Sequence, residues 1–227
     1  WLSFFMFTSF TDRDGKMQLE ALSQSGFDPL SRTCRFMLTE EGHHMFVGKS
    51  GVERILKATC DAMTRSGIAD PNDVDAVRKL GVIDLPTIQK KVNFHYAVTL
   101  DLFGSEVSTN AANAFNAGIK GRFHEADIDD DHRLNTATYR VLQHTDRGFV
   151  WVDAPALSAI NARLRDDYIN DCTPVLASWN KVIANAGVDF ELVLPHRAFF
   201  RKVGDFSSLS VTPAGEIVDR AAWDRDA

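Results

Sequence analysis

Two Glu-x-x-His pairs overlap in the run Thr39-Glu40-Glu41-Gly42-His43-His44, one joining Glu40 to His43 and the other Glu41 to His44. Residues three apart on a helix stand one above the other on the same face. A carboxylate and an imidazole so stacked can grip one metal ion together. A shortened form of the pair recurs as Asp129 with His132, in the run Asp129-Asp-Asp-His132. Each piece also has a plainer reading. A single Glu-x-x-His arises often by chance, and three aspartates in a row suit the solvated N-terminus of a helix.

Two such pairs, with one further carboxylate from each of two other helices, make the ligand set of di-iron carboxylate bundles. The elements that would position them can be read along the chain. Dense apolar spacing over residues 1–22, ending in the helix formers Lys16 to Leu22, gives a first helix, and Ser23 to Phe27 a turn. Asp28-Pro29 opens the second helix, with Asp as N-cap and Pro at the first helical position. This helix runs to about Val47 and bends at Gly48 and Gly51. Glu41 lies about 20 Å along it at 1.5 Å per residue, and the same distance back along an antiparallel first helix lands at Asp12, with Asp14 in reserve.

Asp70-Pro71 opens a short helix that ends near Gly81. The third long pattern runs from about Thr87 to Ile119 at helical spacing. It carries Asp101 and Glu106, five apart, so that only one faces inward; Asp101 is the choice. Beyond Gly121, residues 133–142 read as a helix that follows the Asp129/His132 pair and carries His144 farther on. His144 is the weaker imidazole, because Val141 stands where a carboxylate should be. Residues 156–186 give a last helix containing Pro174, and the tail from Val188 reads as extended or irregular. The expected fold class is all-α: a helical bundle over residues 1–187, with an extension over 188–227 packing on it. The expected ligands are Asp12, Glu41, His44, Asp101, Asp129 and His132, with Glu40/His43 as the alternative pair.

Bulk properties narrow the function. Hydrophobic content of 44% and charged content of 25% suit a soluble globular chain. A net charge of −6 argues against a general nucleic-acid binder, which needs a basic face. Three cysteines cannot all pair within one chain and none forms Cys-x-x-Cys, so a reducing cytosol is the expected compartment. The apolar opening, Trp1 to Phe10, is too short to span a bilayer and lacks a basic leader, and no membrane association is expected. Without an initiator Met, it reads as the inside of a helix with sequence upstream.

Three segments carry a resemblance to a known family: Phe10-Thr-Asp-Arg-Asp-Gly-Lys16, the stretch from Gly26-Phe-Asp-Pro through Thr39-Glu-Glu-Gly-His-His to Gly48, and Leu100-Asp-Leu-Phe-Gly104. They resemble the oxygenase components of benzoyl-CoA 2,3-epoxidases, di-iron proteins of ferritin-like fold that act in aerobic benzoate breakdown. The family protein is roughly twice as long, so the chain reads as a central portion of one. The resemblance implies two iron ions and a reaction in which dioxygen, two electrons and benzoyl-CoA give the 2,3-epoxide and water. It also implies a separate NADPH-dependent iron–sulfur flavoprotein reductase as electron donor. Glu41 and His44 match the family's usual pair; Asp12, Asp101 and Asp129 are shorter acids.

A coenzyme A ester needs cations for its phosphates, and Lys90/Lys91, Lys120/Arg122 and Arg201/Lys202 are candidates, each read more simply as solvated surface. Two other functions fit the same sequence. One is a ferritin-like oxidase, hydroxylase or desaturase with a different substrate. The other is a metal-free helical module that binds an acyl-CoA.

Overall fold

The structure is a computed structural model, and it describes residues 1–128, 136–221 and 223. Among these the chain is mainly helical. The helices are α1 (Leu2–Leu22), α2 (Asp28–Ser66), α3 (Val74–Lys79), α4 (Leu85–Leu102), α5 (Thr109–Asn116) and α6 (Ile160–Asn185), with one β-hairpin of β1 (Thr138–Thr145) and β2 (Gly148–Pro155) before α6. No helix among the described residues is long and apolar enough to cross a membrane.

One core joins the four long helices. Met6, Phe10 and Met17 of α1 meet Val52, Leu56 and Met63 of α2, Ile88, Val92 and Tyr96 of α4, and Leu164, Tyr168 and Trp179 of α6. Their spacing by four, seven and eleven is what a helix needs to present one apolar stripe. The Trp179 indole N–H closes its own account by donating to the Lys49 carbonyl at 3.1 Å.

α1 and α2 form a closely packed antiparallel pair, and glycine sets their separation. A methyl group on Gly48 would lie 2.5 Å from the backbone nitrogen of Ser9, and one on Gly51 would fall inside the Phe5 ring. α2 does not end near Val47 as the sequence suggested; it runs unbroken through these glycines for 39 residues. Its start also differs slightly. Phe27 is the N-cap and Asp28 sits in the first turn, where it pairs with Arg32.

The pattern expected as one helix from Thr87 to Ile119 is split. Gly104 takes φ of +82°, which carries the chain out of α4, and Ser108 restarts a helix by accepting a hydrogen bond from the Ala111 N–H at 3.3 Å. The short helix also starts later than expected, behind the Asp73 cap rather than at Asp70-Pro71.

The larger correction lies after Gly121. The helix expected over 133–142 falls partly outside the described residues, and from Thr138 onward the chain is a strand. Tyr139, Val141 and Val150, Val152 are β-branched or aromatic residues at period two, around an Asp146-Arg147-Gly148 turn with Gly148 at φ of +89°. Both faces of the hairpin are covered. Val141 and Ala154 pack on Ala159 and Ala162 by α6, while Leu142 packs on Ala198, Phe206 and Val211.

From the end of α6 to residue 219 the chain is irregular, apart from a lone bridge between Val211 and Ile217. Side-chain amides take the place of a strand partner. Asn180 exchanges hydrogen bonds with the backbone of Leu192 at 2.9 and 2.8 Å, and Gln89 does the same for Val193 at 2.8 and 2.9 Å.

A buried ion network then ties this segment to the end of α4. Arg201 donates to Asp101 at 2.5 Å and to Glu106 at 2.9 Å, and Arg165 reaches the same Glu106 oxygen at 3.2 Å. Two guanidiniums thus balance two carboxylates. Removing one member strands buried charge, which costs about 3–5 kcal/mol.

Two substitutions test these contacts. Arg201→Ala is expected to lower unfolding stability by about 3–5 kcal/mol, and Gly48→Ala by about 1–3 kcal/mol, because α1 must be pushed away. Both should shift the urea midpoint at unchanged slope; an unmoved midpoint in either variant contradicts the corresponding contact.

Candidate metal centre

The antiparallel α1–α2 pair brings Asp12, Glu41 and His44 together. One ligand-type atom from each lies within 4.8 Å of the other two. His44 Nδ1 is 3.6 Å from Asp12 Oδ2 and 3.8 Å from Glu41 Oε2. These separations are too long for hydrogen bonds and leave room for an ion between the three atoms. Gly15 helps make that room: it faces the Glu41 carboxylate, which lies 3.4 Å from where its β-carbon would be. The Asp12 and Glu41 side chains are each 16% exposed, and the imidazole is 48% exposed at the edge.

Two observations speak to what fits there. Glu41 Oε2 is buried and has no hydrogen-bond partner. A buried carboxylate oxygen left alone is costly, and a cation satisfies it. The donor set of two oxygens and one imidazole nitrogen also suits a divalent transition ion such as iron. Electrostatics agree. Burial pushes the Glu41 carboxyl above its ordinary value and the neighbouring Asp12 adds to this, while His44 pulls it back. Burial likewise raises Asp12, against the pull of His44. Positive charge is what the pocket lacks.

The other expected ligands are placed differently. Asp101 is not part of the trio. Its two oxygens accept from Arg201 Nε at 2.5 Å and from the Lys202 backbone N–H at 2.8 Å. Thr99, two residues earlier, faces α1, its hydroxyl 3.3 Å from that of Thr11; two residues are about 200° of rotation on a helix. Glu106, the alternative, is held by Arg165 and Arg201. Asp129 and His132 lie outside the described residues. Asp14 is buried beside Gln18, and burial lifts its carboxyl to about 6. Glu40 and His43 are exposed on α2, and His144 sits in β1 against Phe149.

Sequence reasoning did not find Gly15 or the Thr11–Thr99 hydroxyl pair beside the site. Gly15 carried a signal, since a lone glycine inside a helical pattern marks close approach. The threonine pair carried none, because it joins residues 88 apart.

No family model matches the chain. It is 51% identical over 223 residues to benzoyl-CoA oxygenase component B of Aromatoleum evansii, and the match takes in 98% of this chain and 46% of that protein. Over nearly its whole length the chain is thus similar to about half of a benzoyl-CoA oxygenase component. It spans about half the length of the relative it matches. The matched stretch takes in all three members of the trio.

The raised carboxyls fix a sign. In the metal-free protein a folded-state value above the unfolded one means that folding favours the protonated acid, so stability falls as pH rises from the unfolded carboxylate value, about 4.3, through the raised one. Glu41→Gln removes that penalty. In thermal melts with chelator, the variant should match the wild type well below pH ~4 and exceed it at neutral pH. A variant less stable than the wild type at neutral pH would show that Glu41 is internally satisfied.

Proposed function

We propose that the chain is the metal-binding part of a di-iron monooxygenase that epoxidises the aromatic ring of benzoyl-CoA, using dioxygen and electrons from a separate reductase. The observation that carries the reading is the Asp12, Glu41 and His44 trio with its unpartnered Glu41 oxygen. The relative's name adds support: "benzoyl-CoA oxygenase" names a substrate and a reaction class, and "component B" a multi-component system.

Bound iron would supply the activation of dioxygen. The protein's own side chains have other tasks. Asp12 and Glu41 provide negative charge in a partly dry setting, where it counts for more than in water. His44 offers Nδ1 toward both carboxylates from one turn along α2. Gly15 keeps the Glu41 carboxylate uncrowded. The remaining proposed ligands are Asp101, Asp129 and His132. A carboxylate has lone pairs beyond those used by two hydrogen bonds, but Asp101 enters the set only by loosening Arg201.

Glu41→Ala and His44→Ala should abolish iron loading while leaving helical content and unfolding cooperativity intact. Metal analysis of the purified chain after anaerobic iron loading checks this. Wild-type iron content in both variants overturns the reading, and absence of iron from the well-folded wild type favours a metal-free acyl-CoA-binding module. Iron should also raise the wild-type melting temperature in proportion to the logarithm of its concentration, an effect both variants lose.

A further inference from the structure

The second Glu-x-x-His pair, Glu40 with His43, takes no part in the trio and makes no hydrogen bond or ion pair among the described residues. Both side chains are exposed. Glu41 faces Gly15 and Gly48 faces Ser9, so that side of α2 is turned to α1. Two residues on from each, about 200° around the helix, His43 and Ser50 look outward. Phe36, seven residues before His43, stands on the same side and is 75% exposed. Phe46 and Met37, on its two flanks, are 67% and 42% exposed. Three large apolar side chains open to water within about three turns of one helix mark a contact surface.

The pattern of this face names the partner. Thr33, Phe36, Glu40, His43, Val47 and Ser50 follow one another by three and four, the spacing that keeps one seam of a helix toward another helix. The intervals read the same from either end, with the midpoint between Glu41 and Gly42. Laid antiparallel on a second copy of itself, the seam sets Glu40 opposite His43, Phe36 opposite Val47 and Thr33 opposite Ser50. Each pairing then occurs twice, as a two-fold axis requires. No pairing along the seam brings like charges together, and the central one matches an acid with an imidazole. At the axis two glutamates and two histidines meet, one of each from either copy. Two carboxylates and two imidazoles make a four-ligand set of the kind that holds zinc.

We propose that the outer face of α2 joins two copies of this chain around a divalent cation held by Glu40 and His43 of each. The cation balances the two carboxylates at the axis, while Phe36 and Val47 on either side bury apolar surface and close the ligands off from water. The site uses neither Glu41 nor His44, and it stands apart from the iron reading.

Sedimentation equilibrium of the whole chain across a zinc titration, with chelator as the blank, tests this. Zinc should tighten self-association at least about tenfold, with a dimer as the end point. Glu40→Ala and His43→Ala should each abolish the zinc effect. Phe36→Glu should weaken the dimer at every zinc concentration, and Glu41→Ala should keep the zinc effect. Glu40, His43 and Phe36 are exposed, so their replacement should leave helical content unchanged, which circular dichroism checks. A chain that stays monomeric in zinc, a dimer whose strength zinc does not change, or a zinc effect that survives loss of Glu40 or His43 overturns the proposal. So does a zinc effect lost equally in Glu41→Ala. Iron loading is measured separately, so either reading can fail while the other stands.

Discussion

The close contact of α1 with α2 is the constraint on which the rest depends. Gly48 and Gly51 let the two backbones approach until Ser9 and Phe5 fill the space where β-carbons would be. Interiors are packed too tightly for such a contact to slide, so it fixes register as well as distance. Register is what places Asp12 opposite Glu41 and His44, about two turns away from the glycines. A shift of one residue along α1 would rotate Asp12 by about 100° and take its carboxylate out of the group. The same helices bury Phe10, Met17, Leu56 and Met63 in the main core, so the geometry of the trio and the hydrophobic core stand or fall together.

A second constraint works against stability. Two acids are brought together and partly dried, with one oxygen left without a partner. A fold selected for stability alone would avoid this, and local conflicts of that kind are expected where a ligand later resolves them. The contrast with Asp101 and Glu106 is informative. Those acids are more deeply embedded, yet two arginines balance them. One cluster is complete as it stands and holds the C-terminal segment. The other asks for a cation.

Much of this was legible in the chain. The α1 and α2 helices, the turn between them and the antiparallel count from Glu41 back to the neighbourhood of Asp12 follow from helix periodicity and the rise per residue. The glycines at 48 and 51 were visible, but their close contact with α1 was not, because a sequence does not show which backbone approaches a glycine. The hairpin was missed for a different reason. Its acidic approach, Asp129 to Asp131, has the composition of a helix start, and that local signal competes with the alternation of Tyr139, Val141, Val150 and Val152. The end of α4 before Gly104 was read through as continuous helix, because helical spacing does not reveal a positive φ. The Arg201 network could not be foreseen, since it joins residues a hundred positions apart without any local pattern.

The most direct test of the central claim is an anomalous difference map, collected at the iron absorption edge on crystals of the iron-loaded chain. A peak bounded by Asp12, Glu41 and His44 is the predicted result. Iron bound in full but peaking away from that trio would contradict the account.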